Sequence, residues 1–200
     1  NRYPESIVVA QKLPTGNADA ALQALPHISK TPALEVVFIV QGDDSFAYES
    51  SDYDGLVNVF NDNKASLAVI VLDPRVKWDK TTETFWHAAC DVDNNVKGIF
   101  KGSDKDLRRK YIKKGLRLFA LASAFVLHPR TLIYLKNLVP NPQEKNEIIL
   151  PDFMKNVLAS GEKIVVVPTD KFLGFNDYQQ YLSVKRSLLH YDSKFTREFV

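Results

Sequence analysis

Unbroken runs of β-branched and aliphatic residues constrain this chain more than any other feature. They fall at 6–10 (SIVVA), 34–40 (LEVVFIV), 67–72 (LAVIVL), 125–127 (FVL) and 164–167 (IVVV). A strand with one wet face alternates apolar and polar side chains, whereas short continuous apolar runs belong to strands covered on both faces. The intervening stretches carry helical spacing. Residues 18–25 follow Gly16-Asn17, and 53–60 follow Ser50-Ser51-Asp52, with Leu56, Val59 and Phe60 on one stripe. Residues 104–124 open with Ser103 as a candidate N-cap, and 152–158 and 178–189 complete the set. Strands alternating with helices predict an α/β fold, a predominantly parallel sheet flanked by helices on both faces.

At 200 residues and 45% hydrophobic content, the chain can bury one sizeable core, so a single domain over 1–200 is expected. The Pro-rich, polar stretch 139–147 (VPNPQEKNE) is its candidate flexible segment. The longest apolar run, around 116–127, contains Arg117 and falls short of the about 20 residues a membrane-spanning helix needs. The chain opens Asn1-Arg2-Tyr3-Pro4 without a Met, as expected of a processed or excised product. A lone cysteine, Cys90, excludes an internal disulfide and a Cys-based zinc site and points to an intracellular, reducing compartment. Set among Phe85, Trp86, Ala88 and Ala89, it reads as a small buried hydrophobe rather than a nucleophile.

Pro74, Pro129 and Pro168 each come one or two residues after an apolar run, where proline cannot interrupt a ladder. Ligands of open α/β sheets bind outside the carboxyl ends of the strands, so the loops 41–51, 73–79, 128–131 and 168–174 are candidate site segments. His128, Arg130 and Arg75 are their strand-end candidates, pairing a titratable imidazole with fixed cations that suit an anionic ligand.

Two acidic pairs could hold Mg²⁺ or Mn²⁺, because hard cations prefer oxygen ligands. Asp43 and Asp44 follow the 34–40 run, and Asp91-Val92-Asp93 has the D-x-D form used to hold a divalent ion on a nucleotide-sugar diphosphate. Asp-Val-Asp-Asn-Asn also reads as a polar turn. Neither G-x-G-x-x-G nor G-x-x-x-x-G-K-[ST] occurs, which counts against a standard P-loop or dinucleotide-binding domain. There is no G-x-S-x-G elbow, and the four histidines are too scattered to pair on one face.

Charge is distributed unevenly. Residues 1–100 carry 8 Lys/Arg against 14 Asp/Glu, and residues 101–200 carry 18 against 10. The basic excess peaks at 105–117 (KDLRRKYIKKGLR), which gathers Lys105, Arg108, Arg109, Lys110, Lys113, Lys114 and Arg117 beside one acid, Asp106. On a helix, Leu107, Tyr111 and Leu118 form the inward stripe and the cations the outer face. Such a face suits an acidic protein surface or anionic lipid. Nucleic acid is the less favoured partner, since Tyr111 lies on the apolar side and leaves no stacking platform.

The segment from 106 to 172 resembles divergent CRAL-TRIO domains, the Sec14-like domains of the BCH type. It runs from a basic helix (RRKYIKKGLRLF) through a strand ending Val126-Leu127-His128-Pro129, a hydrophobic helix over 131–138 and a short helix over 153–158 to a strand opening Lys163-Ile164-Val165. The resemblance implies an α/β domain that binds a lipid or a small-GTPase regulator and catalyses nothing. The His-Pro-Arg-Thr-Leu segment with the later Val-Val-Val-Pro also resembles a stretch of tailed-phage major capsid proteins, which implies a structural subunit.

These readings converge on a non-enzymatic interaction module without cofactor, docking an acidic surface through the basic helix. The alternative is a metal-dependent transferase or hydrolase acting on a phosphorylated or nucleotide-sugar substrate, using Mg²⁺ or Mn²⁺. A second alternative is a structural subunit of a larger assembly.

Overall fold

The computed structural model describes residues 9–11, 13, 15–28, 34–41, 48–73 and 82–170. In chain order the elements are α1 (Asn17–Ile28), β1 (Val37–Val40), α2 (Ser50–Asp62), β2 (Leu67–Leu72), β3 (Trp86–Cys90), β4 (Val96–Lys101), α3 (Lys105–Lys113), β5 (Arg117–Leu127), α4 (Leu150–Ala159) and β6 (Ile164–Thr169), with 3-10 turns over Thr82–Thr84, Pro129–Leu135 and Pro142–Glu144. The runs at 171–200, including the helix expected at 178–189, lie outside the described residues, as does most of 6–10.

The six strands form one sheet in the order β4-β3-β5-β2-β6, with β1 also pairing β5. This corrects the expected predominantly parallel sheet. Among the described strands only β2 and β6 pair in parallel, whereas β5 is antiparallel to β1, β2 and β3, and β3 to β4. An unbroken apolar run reports burial on both faces and carries no information about strand direction. The long β5 also replaces the second half of the helix expected over 104–124. Gly115 takes φ +72°, a conformation that ends a helix without steric penalty. The Leu-Phe-Ala-Leu-Ala-Ser-Ala-Phe-Val-Leu segment beyond it then runs extended. The cap of α3 is Asp104, whose carboxylate accepts from Leu107 N–H at 3.0 Å, rather than Ser103.

Alternation along β2 and β5 sorts the core into layers. Val69, Val71, Phe125 and Leu127 pack with Leu25 of α1, with Phe153, Met154 and Val157 of α4, and with Leu132 and Leu135. Ala68, Ile70, Ala124 and Val126 face the other way, onto Leu56 and Phe60 of α2. Farther along that second face, Ala89, Phe100 and Leu118 receive Leu107 and Tyr111 from α3. Capping ties these layers to the sheet. Glu49 N–H donates to Asp52 at 2.7 Å in the capping box of α2. Leu150 N–H at the start of α4 donates to Asn17 Oδ1 of α1 at 2.9 Å. The 131–138 stretch expected as an α-helix is the 3-10 turn, with Pro129 in its first turn and His128 as its cap. The 139–147 segment is closed on itself by the Asn141–Glu147 bridge. Pro168 does not follow β6 but lies within it, paired with Val71. No described helix is long and apolar enough to cross a membrane.

Candidate functional site

Strand direction decides which ends meet. β1, β2, β3 and β6 run one way, because the first three are each antiparallel to β5 and β6 is parallel to β2. β1 ends with Val40 opposite Ala124, and the pairing of β3 with β5 begins with His87 opposite Ala120, along the same edge of β5. On the other edge β2 ends with Leu72 opposite Ala120. The stretch between Ala120 and Ala124 is also where the β2–β5 ladder breaks register. Val69 pairs with Phe125 but Val71 with Leu121, so β5 bulges there. Bulges bend a strand and re-aim its neighbours, and they recur beside functional sites.

Polar groups gather at this end of the sheet. Gln41 follows β1, half-buried. Leu72 is in register with Thr169, and Asp73 N–H donates to Thr169 O at 2.8 Å. The next residues on those neighbouring strands are therefore two carboxylates, a half-buried Asp73 and an exposed Asp170. A cavity of about 580 Å³ opens alongside, between α1 and β1, lined by Asn17, Ala20, Ala24, Val40, Gln41 and Leu132 among others. Its size suits a ligand the size of a nucleoside, apolar along its walls with a few amide groups to orient it. The candidate site segments 41–51, 73–79 and 168–174 contain Gln41, Asp73 and Asp170, but the sequence singles out none of the three. Asp73 was recoverable, as the first polar residue after the continuous run 67–72.

The other expected site residues are dispersed. His128 and Arg130 follow the carboxyl end of β5, and because β5 is antiparallel that end meets the start of β2, with Leu127 opposite Leu67. There His128 accepts Arg130 N–H through Nδ1 at 3.2 Å. Arg130 donates to Ser66 Oγ at 3.0 Å and to Glu162 at 3.1 Å, and Ser66 Oγ itself donates to Glu162. The length of β2 separates this network from Asp73. Arg75, Asp43 and Asp44 lie outside the described residues.

Asp91 and Asp93 stand in the β3–β4 turn, where their roles diverge. Burial by itself would raise the Asp91 carboxyl, but Lys97 at 3.0 Å, both the backbone and side-chain amides of Asn95, and Asp93 N–H together hold it down at about 2. Asp93 contributes its backbone to that turn and keeps an exposed side chain. Among the described residues no group of three or more His, Cys, Asp or Glu is placed to hold a metal ion. The described donors therefore do not assemble a metal centre on their own.

On α3, Lys105, Arg109, Lys110 and Lys113 are exposed, with Lys114 exposed at the C-cap. Arg108 pairs with Glu83 at 3.6 Å and Arg109 with Asp106 at 4.0 Å. Arg117 does not belong to this helix. It opens β5 and donates to Asp91 O, Val92 O and Asn94 Oδ1 at 3.1, 2.7 and 2.8 Å, fastening the β3–β4 turn. Two buried groups sit near the same strands. Burial pushes the Cys90 thiol up to about 12, with Asp91 adding to the effect. Burial also lowers the His87 imidazole to about 4, against the Phe85 carbonyl that receives its Nδ1.

No family model matches the sequence, and no curated protein matches it. Solved structures do match in shape. A CMP:2-keto-3-deoxy-manno-octonic acid synthetase complexed with CTP aligns with TM-score 0.62 and 12% identity, over 93% of this chain and 72% of that one. A UDP-glucose pyrophosphorylase complexed with UDP-glucose aligns with TM-score 0.64 and 14% identity, over 90% of this chain and 64% of that one. This chain thus spans less than two thirds of the pyrophosphorylase. At such identities the likeness concerns the fold, which is that of these nucleotide-sugar enzymes. The expected likeness to CRAL-TRIO lipid-binding domains is corrected accordingly, because the chain matches these two enzymes in shape.

Proposed function

We propose that this chain is a transferase acting on a nucleotide or nucleotide-sugar substrate, with its site at the β5 bulge and the carboxyl ends of β1, β2 and β6. The observation that carries this reading is the likeness, over more than 90% of the chain in one case, to an enzyme holding CTP. The cavity between α1 and β1 supports it independently, running along β1 from Val37 to Gln41, just past its carboxyl end, the side of an α/β sheet on which ligands bind.

In this reading the nucleoside enters the cavity, with the Gln41 and Asn17 amides at its polar end. Its phosphates lie toward Asp73, Thr169 and Asp170. A sugar oxygen attacks the α-phosphorus, the α–β anhydride bond breaks, and pyrophosphate departs. Asp73, half-buried at a strand terminus, orients the attacking group. Mg²⁺ or Mn²⁺ is the ion to supply with the nucleotide.

Thermal unfolding against CTP, UTP and UDP-glucose, each with Mg²⁺ or Mn²⁺ and at matched ionic strength, tests the reading. A ligand at a hundred times its Kd stabilises by about 2.7 kcal/mol, a rise of a few degrees in a domain of this size. The reading requires that rise for at least one nucleotide, together with pyrophosphate release that Asp73→Asn suppresses. Unchanged midpoints with every nucleotide at millimolar concentration would end it.

A further inference from the structure

A second concavity, of about 430 Å³, lies beside the end of β4, bounded by Trp86, Ile99, Lys101, Ser103, Glu144 and Lys155 among others. Its chemistry is distinctive. Two ammonium groups converge on one indole, Lys155 Nζ at 4.1 Å from the Trp86 ring centroid and Lys101 Nζ at 5.7 Å. They come from different elements, α4 and the end of β4, so the half-buried ring fixes the position of both. Each cation also holds a carboxylate: Lys155 pairs with Asp152 at 2.8 Å and Lys101 with Glu144. The two carboxylates differ in what else they do. Asp152 is anchored by Asn141 Nδ2 at 2.6 Å. Glu144 ends a three-residue 3-10 turn followed by Lys145 in the left-handed region at φ 55°. The carboxylate of Glu144 therefore occupies the place at Lys101 that an incoming anion would take.

We infer that this groove is a binding site for a sugar phosphate: the phosphate displaces Glu144 from Lys101 and is shared with Lys155, and the sugar lies along the Trp86 edge. Charge-assisted hydrogen bonds to phosphate are the strongest polar contacts such a site can make, and the indole holds the ammonium groups in place through cation–π contact. The rim supplies hydroxyl-matching groups, Ser103 and Gln143, while Asp104 is engaged as the α3 cap. The choice of a sugar as the carrier of the phosphate rests on the nucleotide-sugar reading above. The groove's position adds to it, since Trp86 opens β3 at the same stretch of β5 where β1 ends.

The chain has two tryptophans, so in a Trp78→Phe background Trp86 is the sole indole and its emission reports the groove directly. Titration with hexose 1-phosphates is expected to give a saturable emission change, weakened about tenfold or more by Lys101→Gln or Lys155→Gln. Glu144→Gln is expected to tighten binding several-fold, because it removes the internal competitor, a result that a merely structural ion pair would not give. Each variant is compared at an unchanged unfolding midpoint, so loss of fold is read separately. No saturable change at millimolar hexose phosphate, an equal response to inorganic phosphate alone, or weaker binding in Glu144→Gln would overturn the inference. Nucleotide binding at the strand ends is read by thermal stability instead. A chain that binds hexose phosphate but no nucleotide would keep this site and lose the transferase reading, and the reverse outcome would lose this site alone.

Discussion

The Tyr111 ring lies directly over the backbone of Gly98, so closely that a methyl group added at Gly98 would stand 2.2 Å from the Tyr111 hydroxyl oxygen and 2.5 Å from Cζ. Tyr111 also packs on Phe100 at 5.3 Å between ring centroids, so this contact seats the basic helix α3 on the β3–β4 half of the sheet. Gly98→Ala is expected to lower stability in urea by about 1–3 kcal/mol, the range for overpacked cores. In a double-mutant cycle with Tyr111→Ala the losses should fall well short of adding. Additive losses would show that the two residues do not meet.

His87 sets a pH dependence. Above about pH 6.5 the imidazole is neutral whether the chain is folded or not. Below that, the unfolded chain takes up a proton that the folded one refuses until about pH 4. Stability is therefore full above the unfolded value and declines as pH falls from about 6.5 to about 4, by about 3 kcal/mol in all. Urea unfolding at a series of pH values should show this decline, and His87→Gln should flatten it.

Cys90 is fully buried and its thiol is raised to about 12, so thiolate is scarce at neutral pH and out of reach. A disulfide reagent at pH 8 should label the native protein no faster than it unfolds and label the urea-unfolded chain at once. Rapid native labelling would place Cys90 at an accessible surface.

Arg117 and Lys113 share one basic run in the sequence but serve different parts of the fold, and their substitutions should separate. Arg117→Ala removes three hydrogen bonds to the β3–β4 turn and is expected to lower stability by about 1 kcal/mol, reflecting its exposure. Lys113→Ala, on the exposed face of α3, should stay within about 0.5 kcal/mol of the parent. Equal effects would return Arg117 to the surface patch.

The position of most elements was legible because burial leaves a trace in composition. The runs at 67–72 and 164–167 became β2 and β6, and the Leu56–Phe60 stripe became the inner face of α2. Direction left no such trace. Whether 125–127 ran with or against 67–72 depended on where the preceding helix stopped, and that hinged on Gly115 within a segment whose leucines and alanines suit helix and strand alike. Strand direction then relocated the site. A residue after an apolar run lies near the others only when the strands agree, so Asp73 stayed at the shared end and His128 went to the opposite one. Asp91 was legible as chemistry but ambiguous in role, since the same Asp-x-Asp spacing that suits a cation also closes a turn.

The length of β5 bears on how the chain comes together during synthesis. β1 and β2 have no strand partner among themselves and pair through Arg117–Leu127, and the β3–β4 hairpin joins them only through the same strand. Of the described strands, a nascent chain emerging amino end first thus presents one internally paired hairpin, itself only marginally stable alone, and two unpaired apolar strands until residue 127 has cleared the ribosome. Unpaired apolar strands are the species that aggregate. Slowing elongation just upstream of Arg117 should lengthen that exposed interval, and slowing it after Leu127 should not.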